Sequence, residues 1–176
     1  MDKPLIVVLG AGLGGTIASY EIKAAVKGRA DVMTVSDTDT YSFIPSNPWV
    51  AVRWREPEAI QVHLPPVFAK KKIGFTSVGA KRLHASEKRL ELNDGTSITY
   101  DYLVIATGPD LAFDEIEGLG PQGHTVSVCQ TAHAADAADA FDAFVENPGP
   151  IVVGAVQGAS CYGPAYEFAL ILDTEL

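Results

Sequence analysis

Cysteine is scarce in this chain. Its 176 residues include only Cys129 and Cys161, too few for a disulfide scaffold at this length, so reduced or chemically specialised thiols are expected. Positive charge is also short: 13 Lys and Arg against 22 Asp and Glu give a net charge of −9. That balance argues against a partner recognised through a phosphate backbone. The one basic run, Lys70-Lys71-Lys72, reads as the flank of a short helix. No apolar run approaches the ~20 residues of a membrane-spanning helix. The start, Met1-Asp2-Lys3-Pro4, leads straight into a strand and leaves no room for a signal peptide. These absences together lead us to expect a soluble, cytoplasmic chain. Low-complexity tracts are missing, and the only internal echo is between two glycine loops.

What is present is a 47% hydrophobic chain, ample for a core. Leu5 to Leu9 is a short unbroken apolar run, as expected of a central parallel strand covered on both faces. A glycine loop follows, then a helical pattern from Leu13 to Lys27 that Gly28 ends, then a second strand over Val32 to Val35. The segment Tyr41 to Trp49, with two prolines and three aromatics, reads as a loop that cannot be a regular helix. A short helix is expected around Pro66 to Lys72 and a strand at Ile73 to Thr76. From Val78 to Tyr100 the pattern is a meander of short strands, with Asn93-Asp94-Gly95 as its hairpin turn. Tyr102 to Ile105 is another buried strand, and Thr131 to Glu146 a helix. Asn147-Pro148-Gly149-Pro150 marks a boundary, after which Ile151 to Val153 should open a second βαβ unit.

Gly10, Gly12 and Gly15 stand in GxGxxG register between a strand and a helix. The first permits a tight turn, the second lets backbone approach a pyrophosphate, and the third allows close helix packing. The helix N-terminus adds free amides and a positive dipole end. An acidic ribose partner is expected just after the second strand, at Ser36, Asp37 or Asp39. In the second loop, Gly154 to Cys161, the middle glycine is Val156 and the third is Ala159. Cys161 lies at or just before a helix with Pro164 in its first turn. Helix N-terminal amides stabilise a thiolate, so Cys161 is a candidate nucleophile, against plain packing as the alternative. Cys129 precedes the alanine-rich helix. His133 and Glu167, the nearest titratable groups in sequence, are candidate proton carriers or simply surface residues. Two cysteines do not make a zinc site.

The blocks VVLGAGLGG, YSFIPSNPWV, YDYLVIATGP and GPIVVGAVQGASCYGPAYEFA resemble sulfide:quinone oxidoreductase of the bacterial type, within the two-dinucleotide-binding flavoproteins. The first block is common to many flavoproteins; the second and last are far more specific. The resemblance implies an α/β fold: a three-layer Rossmann-like FAD-binding domain over residues 1–112 with a small antiparallel meander, a connection over 113–149, and the start of a second NAD-like domain at 150–176. It implies FAD as cofactor and no metal. It implies oxidation of sulfide to polysulfide sulfur through redox-active cysteines, with electrons passed to quinone.

By the same resemblance Cys161 matches the cysteine of the redox pair, Cys129 an auxiliary cysteine, and His133 and Glu167 polar groups of the sulfide pocket. Gly10, Gly12, Gly15, Ser36, Asp37, Ile44, Pro45, Ala80 and Gly108 match segments that line FAD. Complete family members continue well beyond the length of this chain and sit peripherally on a membrane. The chain is therefore expected to be an N-terminal part without turnover of its own, with sulfide and quinone as substrates, a membrane surface reached through the remainder, and self-association left open. Alternative readings are a flavocytochrome c sulfide dehydrogenase subunit, a type II NADH dehydrogenase, which Val156 disfavours, and a truncated flavin-binding module.

Overall fold

The apolar run at the start of the chain does become an inner strand. In the computed structural model, which describes residues 3–176, the chain passes through β1 (Leu5–Leu9), α1 (Leu13–Val26), β2 (Asp31–Val35), β3 (Thr40–Ser42), α2 (Asn47–Ala51), β4 (Gln61–His63), α3 (Leu64–Lys70) and β5 (Gly74–Thr76). It continues through β6 (Ala80–His84), β7 (Arg89–Leu92), β8 (Ser97–Thr99), β9 (Tyr102–Ile105), α4 (Thr131–Glu146) and α5 (Gly163–Glu175). Two compact units result. One holds the residues up to Tyr41 with Val62–Asp110; the other holds Ser42–Gln61 with Leu111–Leu176.

The first unit is built on a parallel sheet of order β5-β2-β1-β9, with β6-β7-β8 as a separate antiparallel sheet. Register follows from burial: Leu5 pairs with Asp31 and Leu9 with Val35, while Ile6 pairs with Tyr102 and Leu9 with Ile105. Strands alternate their side chains, so one sheet face must find helices and the other the meander. Val32 packs with Ala11, Leu64, Phe68 and Ile73, joined by Tyr20 and Val26 of α1. Val7 and Val35 pack on the opposite side with Leu90, Leu92 and Tyr100. Helices, parallel sheet and meander are the three layers of a Rossmann-like α/β unit.

One polar pair is sealed within it. Ser19 on α1 and Thr34 on β2 are both fully buried. The Ser19 hydroxyl donates to the Gly15 carbonyl at 2.7 Å. Its single proton is then committed, so the Thr34 hydroxyl, 2.8 Å away, donates to it.

In the second unit α2 and α4 meet through Val50, Ile60 and Ala134, and α5 packs Ile171 and Leu172 on Val52, with Trp49, Phe141 and Phe168 around them. Arg53 Nη2 reaches Asp139 at 2.5 Å and Asp142 at 2.7 Å, one helical turn apart on α4. Both partners are exposed, so this bridge orients more than it stabilises.

Two local expectations need correcting. The stretch from Tyr41 to Trp49 is not a plain loop: Tyr41 and Ser42 close β3, and a 3-10 turn at Ile44–Ser46 runs into the short helix α2. Pro45 and Pro48 each occupy a first-turn position, where a proline has no useful N–H to lose. Conversely, Ile151 to Val153 forms no strand, and Val152 is 95% exposed. A strand needs a partner for its backbone groups, and no strand among the described residues pairs with this run.

Removing one member of the sealed pair should cost more than removing both. Ser19→Ala strands a buried hydroxyl and should destabilise the protein by ~1–3 kcal/mol, whereas Ser19→Ala with Thr34→Val should be no worse. Urea denaturation of the two variants checks this; a double variant that loses the sum of both single effects would contradict the pairing.

Candidate functional site

Because β2, β1 and β9 run parallel, their carboxyl ends lie on one edge of the sheet, where ligands bind in open α/β folds. After β1 the chain turns at Gly10, with φ 105°, and the Gly10 amide donates to the Val35 carbonyl at 2.7 Å. The Ala106 amide, just past β9, donates to Leu9 at 2.7 Å. These bonds press the glycine loop and the Ala106-Thr107-Gly108 loop together. A side chain at Gly10 would strike the Ala106 carbonyl, and one at Gly15 would strike the Gly10 carbonyl. Both positions are glycine for packing.

Gly12 has a different reason. No neighbouring atom lies within 4 Å of the place its Cβ would take, so this glycine lines an open cradle. It caps α1 in an extended conformation. The Thr16 amide donates to Gly12 at 2.9 Å and its hydroxyl to Ala11 at 3.0 Å, closing the first turn. That turn contains no acidic residue, so the helix leaves its positive end to an anion from outside. The cradle therefore fits a pyrophosphate.

Past β2, Ser36 is buried and bound in place. Its amide donates to Thr76 at 2.9 Å and its carbonyl accepts from Gly79 at 2.7 Å. Asp37 and Asp39 are both exposed, but the Asp39 carboxylate accepts from the Thr40 hydroxyl at 3.0 Å and lies 3.6 Å from His63, which makes Asp37 the best of the three candidates for a ribose hydroxyl. Gly79 was not singled out from the sequence. It has φ 80°, and a Cβ there would lie 2.5 Å from Asn93 Nδ2 and 3.5 Å from Asp37. A lone glycine leading into a strand was the available signal, since it marks close backbone approach. Ala80 opens β6 and packs into the meander core. Gly108 follows β9 with φ 77°. Thus Gly10, Gly12, Gly15, Ser36, Asp37, Ala80 and Gly108 all belong to the first unit, while Ile44 and Pro45 belong to the second and are exposed.

The four residues read as catalytic all lie in the second unit. Cys129 and Cys161 are free and exposed. Cys161 sits two residues before α5, whose first turn carries Pro164. Cys129 directly precedes Gln130, the N-cap of α4. His133 is in the first turn of that helix, its ring 5.6 Å from Phe113 at a 59° tilt. Its Nδ1 is buried with no hydrogen-bond partner, alone among side-chain polar atoms of the described residues. An orphaned imidazole nitrogen is costly unless it serves a ligand or a proton. Glu167 is exposed on the second turn of α5. The described residues contain no cluster able to hold a metal ion.

The profile of the family described as pyridine nucleotide-disulphide oxidoreductase matches residues 4–156. The sulfide-quinone reductase of Aquifex aeolicus (strain VF5) is 37% identical over 171 residues, 97% of this chain and 39% of its own. The X-ray structure of the sulfide:quinone oxidoreductase from the same hyperthermophilic bacterium matches with a TM-score of 0.92 at 38% identity, over 98% of this chain and 39% of that one. NDH2 from Plasmodium falciparum, solved in complex with NADH, shares the fold at a TM-score of 0.65 and 20% identity, over 82% of this chain and 30% of its own. The chain thus spans 39% of the length of its Aquifex relative. It is an α/β protein with a Rossmann-like nucleotide-binding unit, and it belongs to the pyridine nucleotide-disulphide oxidoreductase family.

Proposed function

We propose that the first unit holds FAD and that the second unit presents the thiols of a sulfide:quinone oxidoreductase, which oxidises sulfide to polysulfide sulfur and passes the electrons to quinone. The observation that carries this reading is the free, exposed Cys161 immediately ahead of α5, on a loop where Val156 and Ala159 stand in place of fingerprint glycines. A second dinucleotide would need bare backbone at Val156. A thiol in that setting points to sulfur chemistry instead. The 37% identity to a sulfide-quinone reductase supports the same reading.

In this account Gly10, Gly12 and Gly15 shape the cradle, the α1 amides neutralise the pyrophosphate, and Asp37 accepts a ribose hydroxyl. FAD, when bound, supplies a two-electron acceptor. Cys161 is the sulfur nucleophile, a free and exposed thiol two residues ahead of α5. Cys129 is the auxiliary thiol. His133, with its unpaired Nδ1, and Glu167 serve as proton carriers. Quinone is apolar, so this reading includes contact with a membrane surface, although no helix among the described residues is long and apolar enough to cross one.

Gly12→Val should abolish flavin retention without unfolding the protein, because the new side chain meets only the open cradle. The check is the flavin-to-protein absorbance ratio alongside a thermal melt; parental flavin content in the variant would refute the loop assignment. In catalytically competent protein carrying this sequence, Cys161→Ala should eliminate sulfide-dependent flavin reduction while leaving FAD bound, and Cys129→Ala should be milder. Anaerobic stopped-flow mixing with sulfide measures both, and a parental rate in Cys161→Ala would sink the mechanism.

A further inference from the structure

Cys129 stands on a stretch with no regular structure, between Thr125 and the start of α4 at Thr131. Neither a strand ladder nor a helix fixes it, and its own amide bonds only to the nearby Ser127 hydroxyl at 3.1 Å. Something else must hold the turn. Asn47, the first residue of α2, is 0% exposed. Its Nδ2 donates to the Val128 carbonyl at 3.0 Å, and its Oδ1 accepts from the Thr131 hydroxyl at 3.0 Å. Val128 is the residue before Cys129, and Thr131 the second after it. The side-chain amide therefore straddles the thiol-bearing residue with both of its functional ends.

The orientation is determined. A backbone carbonyl can only accept, so the amide nitrogen must face Val128, which leaves the amide oxygen for the Thr131 hydroxyl. The base of the clamp is rigid, because α2 is packed on α4 through Val50, Ile60 and Ala134. An apolar residue at position 47 could fill the same buried space. Only a side chain with a donor and an acceptor in one plane can tie both flanks of Cys129 at once.

We infer that Asn47 is a positioning residue for Cys129, setting the turn from Val128 to Thr131 so that the thiol is presented in one geometry. This rests on the reading of Cys129 as an auxiliary thiol of the sulfide reaction. Asn47 touches no reacting atom; it acts through the residue it brackets.

The test is a double-mutant cycle on sulfide-dependent flavin reduction in catalytically competent, FAD-loaded protein, with flavin content and melting midpoint recorded for every variant. Asn47→Ala should lower kcat about tenfold, with KM for sulfide within about twofold. In a Cys129→Ala background the same substitution should cause no further loss, because the residue it positions is gone. Thr131→Val, which removes one arm of the clamp, should slow the reaction in the same direction, and Thr131→Ser, which keeps the hydroxyl, should restore it. If Asn47→Ala does not fold, Thr131→Val takes its place in the cycle. An equal fractional loss with and without Cys129, or a parental kcat in folded Asn47→Ala, overturns the inference. A Cys129→Ala protein at the parental rate overturns the underlying reading instead, and that outcome is visible in the single variant alone.

Discussion

The first unit depends on how closely three pieces of backbone approach one another at the carboxyl edge of its sheet. Gly15 lies against the Gly10 carbonyl, and Gly10 against the Ala106 carbonyl. Any side chain at either glycine would force β1, α1 and the loop after β9 apart. Their contact seats the N-terminus of α1 over the sheet edge and leaves Gly12 facing open space. Tight packing at two glycines thus creates the emptiness at the third. The Ser19 and Thr34 hydroxyls fasten α1 to β2 one turn further along, so the cradle is held from both ends of its helix segment.

Polar side chains set the geometry of the second unit where regular structure does not. The stretch before α4 is irregular, yet Asn47 ties both sides of Cys129 from the adjacent helix. Arg53, with φ 62°, turns its guanidinium back onto Asp139 and Asp142. The apolar contacts of Val50, Val52, Ile171 and Leu172 supply the packing on which these bonds rest. A buried amide left without partners costs ~1–3 kcal/mol, so the geometry here depends on single polar side chains as well as on hydrophobic packing.

Much of the first unit was legible in the sequence because its signals are local. β1 and β9 fall where the hydrophobic pattern puts them, although Tyr102 and Ile105 of β9 are exposed rather than buried because β9 is an edge strand. α1 ends one residue earlier than expected, with Lys27 and Gly28 both at positive φ. The Asn93-Asp94-Gly95 turn does join β7 to β8. What could not be read was contact between distant segments. Asn47 and Thr131 are 84 positions apart, and Gly79 gains its meaning only when Asp37 and Asn93 arrive beside it. The two local misreadings have physical causes as well. Prolines at first-turn positions look like helix breakers in a linear scan, and an apolar run such as Ile151 to Val153 looks like a strand whether or not a neighbour exists to pair with it.

The central claim is that the first unit recognises the diphosphate and adenosine part of FAD through backbone amides and glycine. It is tested most directly by competition. Flavin-free protein is titrated with FAD, followed by fluorescence, and the titration is repeated in the presence of ADP or of FMN. The account predicts that ADP displaces FAD and FMN does not, because only ADP carries the diphosphate that the Gly10 to Gly15 loop is shaped to hold. Displacement by FMN as effective as that by ADP would contradict it.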